Sequence, residues 1–363
     1  MHLLSYIIWS PDPNIFTIPV LDHPIRWYGL LFALGFILSQ QAMFWIFRKE
    51  GKQENHVEKL TVYMVLATII GARLGHCLFY DPAHYLSNPI EILKIWEGGL
   101  ASHGGAIGIV FSLYLFSRKY PYSFFWILDR IVIVVALTGA LIRTGNFVNS
   151  EMEGVETNAN YGVVYAGFTK EYLETVDGVE SVDFIRNDLV KAEVGKAPLA
   201  AVLKYEEGIK FDFIQQQVME GRLSQALNGY DEVTQHIDFG GGKLNYTTYE
   251  KDGSAFVNIY GVGTVRHAAQ LYEAFYCIVL MILLFWLWYK KRNLLPAGFN
   301  FSLFLIILWS ARFVDEFFKM NQVGFEENMS LNMGQWLSIP MTLIGVILMI
   351  WIHVRKDSPR MGQ

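Results

Sequence analysis

Seven stretches of the chain are apolar over a length suited to a bilayer: Trp27–Phe47, Leu60–Tyr80, Leu100–Ser117, Tyr120–Ile142, Leu271–Tyr289, Asn293–Phe313 and Trp336–Ile352. A helix needs about 20 residues to cross a hydrocarbon core, so the pattern predicts seven transmembrane helices. Asp129 and Arg130 interrupt the fourth stretch. Such residues near a helix end either snorkel to the interface or pair. The segment Val155–Val265, between the fourth and fifth helices, has no comparable run. Its short mixed patterns (VDFIRNDLVKAEV, KYEEGIKFDFIQQQVMEGRL) and the Gly240–Gly242 triplet predict a small α+β subdomain or a large ordered loop. The opening MHLLSYIIWSPDPNIF reads as an apolar segment lying at the membrane interface, ended by Pro11 and Pro13. It has no cationic start and no small-residue cleavage site, so it is not expected to be a cleaved signal peptide. The predicted fold class is an all-α membrane protein of seven transmembrane helices with an extracytoplasmic α+β insert between helices four and five. The expected divisions are an outer interfacial arm (1–26), helices one to four (27–154), the insert (155–265), helices five to seven (266–354) and a cytoplasmic tail (355–363).

Composition sharpens this reading. Of 363 residues, 53% are hydrophobic and only 17% charged, against about 25% charged in soluble domains. The net charge of −5 is unevenly spread: the insert holds 17 acidic and 9 basic residues, while the remainder is mildly basic. An acidic, water-facing insert on a hydrophobic body follows. Of the short connections, those after helices one, three, five and seven carry 12 Lys and Arg, from Arg48 to Arg360; the opposite side carries Arg26, Lys94 and Lys319. The positive-inside rule therefore predicts an outer N-terminus and a cytoplasmic C-terminus, and an odd helix count requires termini on opposite sides. The two cysteines, Cys77 and Cys277, lie in apolar runs, which excludes a disulfide framework and a cysteine-based zinc site.

With this topology, Arg73, Arg143, Arg266 and Arg312 come from four separate helices to one depth on the outer side, where the positive-inside rule does not explain them. Glu151, Glu273, Asp315 and Glu316 are the acidic residues available to pair with them. Arginine near a span is costly and marks function by default, although each pair could equally stitch helices together. A converging set of forked, permanently charged donors suits a phosphate, and at the outer face of a membrane that phosphate belongs to an anionic lipid. Tyr28 opens the first helix and His103 the third, within GGLASHGG, whose glycines suit close helix packing. His103 is a candidate proton acceptor or a hydrogen-bonded structural residue. The segment GALIRTGNFVNSEMEG (Gly139–Gly154) leaves an apolar helix and places Arg143, Asn146, Asn149 and Glu151 within nine residues. A helix C-cap would account for Gly145 alone. Polar residues gathered at one depth argue against a transporter. A different transferase acting on an anionic phospholipid remains the alternative.

These blocks together resemble the prolipoprotein diacylglyceryl transferase family of bacteria. The resemblance rests on WYGL (Trp27–Leu30), GARLGHCLFY (Gly71–Tyr80), EGGLASHGG (Glu97–Gly105), RTGNFVNSEMEG (Arg143–Gly154), RHAAQLYE (Arg266–Glu273), ARFVDEFF (Ala311–Phe318) and MGQWLSIP (Met333–Pro340). It implies transfer of the diacylglyceryl group of phosphatidylglycerol to the lipobox cysteine of an exported prolipoprotein. A thioether forms and glycerol 1-phosphate leaves, as the first step of lipoprotein maturation in the bacterial inner membrane. It further implies Arg143 and Arg266 stabilising the departing phosphate and His103 as the base for the thiol. Glu151 is either an alternative base or the residue holding Arg143, the second being favoured. Tyr28, Asn146, Asn149 and Gly154 join the two arginines in binding the lipid head group, with Arg73, Glu273 and Arg312 as a second tier. The partners implied are phosphatidylglycerol and prolipoprotein signal peptides, with no cofactor, metal or nucleic acid. The chain departs from the family pattern at Ile142 and Ser150, where glycine is usual, at Glu153, where an aromatic is common, and at Ala268–Ala269, which replace a Pro-Ser pair. Its insert is also longer.

Overall fold

A computed structural model of the chain describes residues 6–18, 23–95, 98–187, 193–220, 222–321, 326, 329–355 and 360–361. The first five residues of the predicted arm, Glu97 and most of the predicted tail lie outside the described residues. In chain order the elements are β1 (Tyr6–Trp9), β2 (Asn14–Ile18), β3 (His23–Arg26), α1 (Trp27–Lys49), α2 (Asn55–Phe79), α3 (Pro82–Ser87), α4 (Ser102–Lys119) and α5 (Phe124–Val148). There follow β4 (Gly162–Tyr165), α6 (Gly167–Glu174), β5 (Val179–Arg186), β6 (Lys196–Tyr205), α7 (Phe211–Glu220), α8 (Arg222–Gly229), α9 (Asp231–Thr234), β7 (Ile237–Asp238), β8 (Asn245–Lys251) and β9 (Ser254–Thr264). The chain closes with α10 (Ala269–Lys291), α11 (Phe299–Asp315) and α12 (Met333–Val354).

Each of the seven predicted apolar stretches falls on a helix. Five of these, α1, α2, α5, α10 and α12, are long and apolar enough to cross a membrane. The 18-residue α4 and 17-residue α11 are shorter. Large apolar side chains point outward, including Ile37, Ile70, Ile107, Ile282 and Ile347, each more than half exposed. Water would penalise that surface heavily, and lipid would not.

The chain divides into two compact units, one of Met1–Phe32, Ile142–Ala274 and Val314–Met333, the other of Ala33–Leu141, Phe275–Phe313 and Gly334–Gln363. This differs from the expected division, because the arm and the insert belong to one unit. The described part of the arm is built of strands. Its strand β1 pairs in parallel with β4, Tyr6 opposite Gly162 and Trp9 opposite Tyr165, and β2 and β3 form an antiparallel ladder. A backbone paired in this way has its donors and acceptors satisfied, whereas an isolated segment would not. The insert contains an antiparallel sheet in the order β5-β6-β9-β7, with β8 also on β9. Alternate residues of β6 and β9 meet Ile214, Leu223 and Leu227 of α7 and α8 in an apolar core.

The second unit contains the helical core around Phe47, Phe116, Trp126 and Trp288. Its helices α2 and α4 cross on glycines: a Cβ on Gly75 would lie 2.7 Å from Gly104 Cα, and one on Gly108 would lie 2.5 Å from the Ala67 carbonyl oxygen. Gly104, the one glycine of GGLASHGG that meets the α2 backbone this closely, and Gly108 just beyond the motif therefore serve packing. Asp129 and Arg130 are fully buried. Arg130 pairs with Glu50 at 2.7 Å, and the Asp129 carboxylate accepts the N–H groups of Gly298 and Phe301 at the start of α11. They pair rather than snorkel.

Candidate active site

The sequence signature forms the turn that ends α5. The helix runs to Val148, six residues beyond the predicted end at Ile142, so Gly145 is not a C-cap. It lies inside the helix, and its missing side chain admits Tyr28: a Cβ there would be 3.1 Å from both Tyr28 Cα and Cδ2. Arg143 and Asn146 stand one turn apart on α5, and Arg143 Nη1 reaches Asn146 Oδ1 at 3.4 Å. Beyond the helix, Ser150 (φ +53°) and Met152 (φ +60°) adopt the left-handed conformation, which reverses the chain so that Glu151 faces back. The Glu151 carboxylate then accepts the Asn146 amide on one oxygen (3.0 Å) and the Asn149 amide on the other (3.1 Å). The Gln270 amide donates to the Glu151 backbone carbonyl at 2.7 Å, and Tyr165 donates to Gln270.

The carboxylate that holds Arg143 is Glu273, 2.9 Å from Nε, and not Glu151 as expected. Glu151 instead fixes the two asparagines. Arg143 Nη1 also faces the Met152 thioether, while Nη2 has no hydrogen-bond partner among the described residues. The guanidinium is therefore braced on one edge and open on the other.

Arg266 is positioned by strands. It follows β9, and its backbone exchanges hydrogen bonds with Val163 of β4, N to O at 2.8 Å and O to N at 2.9 Å. Its Nη2 donates to the Gln235 carbonyl (2.9 Å) and its Nη1 to the Gly154 carbonyl (3.4 Å). Gly154 is the tightest point of the site. Its N–H donates to the His267 carbonyl at 3.1 Å, and the Val155 N–H donates to the Phe318 carbonyl at 2.9 Å. A Cβ on Gly154 would overlap the His267 oxygen and lie 2.7 Å from the Phe318 oxygen. The role of Gly154 is thus backbone clearance, which brings residues 153–155 between 265–267 and 318–320. Burial holds the adjacent His267 imidazole below its ordinary range, with its ring against Tyr272 and Phe318. A cleft of about 600 Å³ opens in the same unit, lined among others by Asn149, Glu151, Glu153, Tyr165, His236 and Met320.

The remaining candidates lie in the second unit. His103 stands exposed in the first turn of α4, against the rings of Phe79 and Tyr80, and its ring nitrogens have no hydrogen-bond partner among the described residues. Arg73 is buried, with Nε on the Ile92 carbonyl (2.9 Å) and Nη1 on that of Gly98 (2.6 Å). Its guanidinium also reaches the Glu91 carbonyl and the Tyr85 ring. Those donors are spent on a loop. Arg312 is half-buried in the last turn of α11. Gln270, Tyr165 and His236 escaped sequence reasoning. Gln270 lies inside the quoted block RHAAQLYE, so a signal for it was present. The other two lie in the insert, where no motif marks them. Among the described residues, no group of three or more His, Cys, Asp or Glu side chains is arranged for a metal ion.

The family model for prolipoprotein diacylglyceryl transferase matches residues 13–351. The chain belongs to this family. It is 34% identical to the phosphatidylglycerol–prolipoprotein diacylglyceryl transferase of Tolumonas auensis over 349 residues, covering 95% of this chain and 96% of that protein. The proteins of the same name from Chloroherpeton thalassium and Porphyromonas gingivalis are 32% and 33% identical, each alignment covering at least 95% of both chains. The insert is therefore accommodated within full-length relatives, and the signature turn lies well inside the matched region.

Proposed function

We propose that this chain transfers the diacylglyceryl group of phosphatidylglycerol to the lipobox cysteine of prolipoproteins; its relatives bear the name phosphatidylglycerol–prolipoprotein diacylglyceryl transferase. The reading is carried by the arrangement around Arg143, whose Nε is anchored on Glu273 while Nη2 stays unclaimed beside two asparagines fixed by one carboxylate. In the reaction, the cysteine thiol gives up its proton and the sulfur attacks the glycerol carbon that bears the phosphoester. The C–S bond forms as the C–O bond breaks, and glycerol 1-phosphate leaves with the bonding pair. Charge builds on the phosphate oxygen, where preorganised guanidinium groups are worth most. Arg143 and Arg266 take that role, and Asn146, Asn149 and Tyr28 orient the head group. A free thiol titrates near 8.5, so a modest base suffices. His103 is that base; its exposure and its unclaimed nitrogens support the assignment. Arg73 and Glu273 act on structure, the first through its loop and the second through Arg143.

The enzyme lies in the inner membrane with seven spans, the N-terminus and insert outside and the C-terminus in the cytoplasm. The 12-to-3 asymmetry of basic residues across the short connections supports this orientation. The substrate cysteine arrives just after a membrane-inserted signal peptide, at the depth of the lipid phosphate. The test is the whole-protein mass of a prolipoprotein incubated with purified enzyme and phosphatidylglycerol. A gain of one diacylglyceryl group is expected. No gain, or a single acyl chain, would overturn the reading.

A further inference from the structure

His236 and Glu153 form a pair that the reaction described above does not use. His236 lies just after α9, with its side chain 9% exposed, and Glu153 lies in the signature turn with 11% exposed. Nδ1 of His236 is 2.7 Å from the Glu232 backbone carbonyl, and Nε2 is 2.7 Å from Glu153 Oε2. A backbone carbonyl only accepts, so Nδ1 carries a hydrogen. Nε2 then faces a carboxylate oxygen at hydrogen-bond distance, and a proton must lie between them. The same Oε2 is the nearest carboxylate oxygen to Arg266, 3.9 Å from Nε. That Nε is buried and has no hydrogen-bond partner among the described residues. One oxygen thus stands between an imidazole that it grips and a guanidinium that it nearly reaches. The Arg266 backbone is locked by β4 on one side and by the Gly154 clamp on the other, so the movable part of this assembly is the Glu153 side chain.

We propose that Glu153 and His236 are positioning residues for Arg266, coupled through their shared proton; this rests on the reading of Arg266 as a phosphate ligand. While the proton is present, Glu153 is engaged with His236, and the Arg266 charge is left for the lipid phosphate. When the proton is lost, the carboxylate faces a bare imidazole nitrogen and swings away, so Arg266 loses the fixed negative charge near its Nε that sets the direction of its guanidinium. The other ionisable groups around the pair are Tyr165 of β4, Glu171 of α6, Glu232 of α9 and Glu151 of the signature turn, all lining the same cleft. Tyr165 donates to Gln270 and the other three are carboxylates, so the unused donor near Glu153 is the buried Nε of Arg266.

The test uses the full chain in detergent with phosphatidylglycerol and a lipobox peptide, and reads kcat, KM, the pH–rate profile and the melting temperature. Glu153→Gln and His236→Gln should each lower kcat roughly 10- to 100-fold, the scale of a misplaced catalytic group. KM for the peptide should be unchanged. The double variant should match the worse single one, since the pair acts as a unit. The parent rate should fall on the alkaline side, and neither variant should show that fall. Glu153→Asp, which keeps the charge with a shorter reach, should recover part of the rate. Parent-like kcat and pH profile, additive losses, or losses that follow the melting temperature alone would overturn the proposal. Arg266→Lys is measured alongside. A parent-like Arg266→Lys enzyme would refute the phosphate-ligand reading itself, whereas an impaired one beside parent-like pair variants would refute only the pair.

Discussion

Arg143→Lys tests the phosphate clamp most directly, because it preserves charge and removes geometry. In the parent, Nε is committed to Glu273 at 2.9 Å and Nη1 leans on Asn146, so the guanidinium plane is set before substrate arrives. Nη2 is then presented in a fixed direction. Lysine has one ammonium centre, which can satisfy Glu273 or the phosphate but cannot hold both in that geometry. Losing one preorganised contact to developing charge costs on the order of 100-fold in rate, equivalent to about 2.7 kcal/mol. Stability should change far less, by about 1 kcal/mol or below, because the lysine can keep the ion pair with Glu273. The assay is turnover of phosphatidylglycerol by purified enzyme, normalised to folded protein by thermal melting in detergent. A variant within a few-fold of the parent would show that Arg143 does not grip the phosphate.

Gly154→Ala should lower stability by about 1–3 kcal/mol through overpacking against two backbone carbonyls, with activity falling further because Arg266 loses its seat; an unchanged melting temperature would contradict the clamp. Ser150→Gly should raise stability by roughly 1 kcal/mol, since Ser150 bears the cost of a left-handed backbone that glycine avoids; no gain on melting would count against that turn. His103→Gln should cut turnover by roughly 100-fold or more while leaving lipid binding intact, because an amide cannot take a proton; near-normal turnover removes His103 as the base. A reporter enzyme active only outside the cytoplasm should work when fused near Gly241 and fail after Lys356, and the reverse result refutes the orientation.

The helical body was readable because each apolar stretch is long and the bilayer admits few alternatives. The signature residues were equally readable, since Arg143, Asn146, Asn149 and Glu151 are polar in places where polarity is costly. Their partners were less so. Glu151 sits closest to Arg143 in the sequence, yet the chain reversal at Ser150 and Met152 aims it at the asparagines. Glu273, 130 positions away on α10, takes the guanidinium instead. The strands of the arm were missed because YIIW reads the same in a membrane-facing segment as in a strand, and the parallel partner at Gly162–Tyr165 carries no local signal. His236 was invisible for the same reason: its meaning lies wholly in a residue 83 positions earlier.

The parallel pairing of β1 with β4 sets an order of assembly. Tyr6 also donates to the carbonyl of Pro198, 192 residues further along the chain, so β1 cannot find all of its neighbours until the chain has been made past Pro198. Joining distant segments carries a loop-closure cost and slows folding. The early helices must therefore settle in the bilayer while the N-terminal strand waits unpaired. The Arg266 seat, which depends on β4 and on residues 318–320, is completed only once those later residues have been made. Newly made protein would thus pass through a stage that is anchored in the membrane but catalytically silent, with the leading strand open to proteases until its late partner arrives.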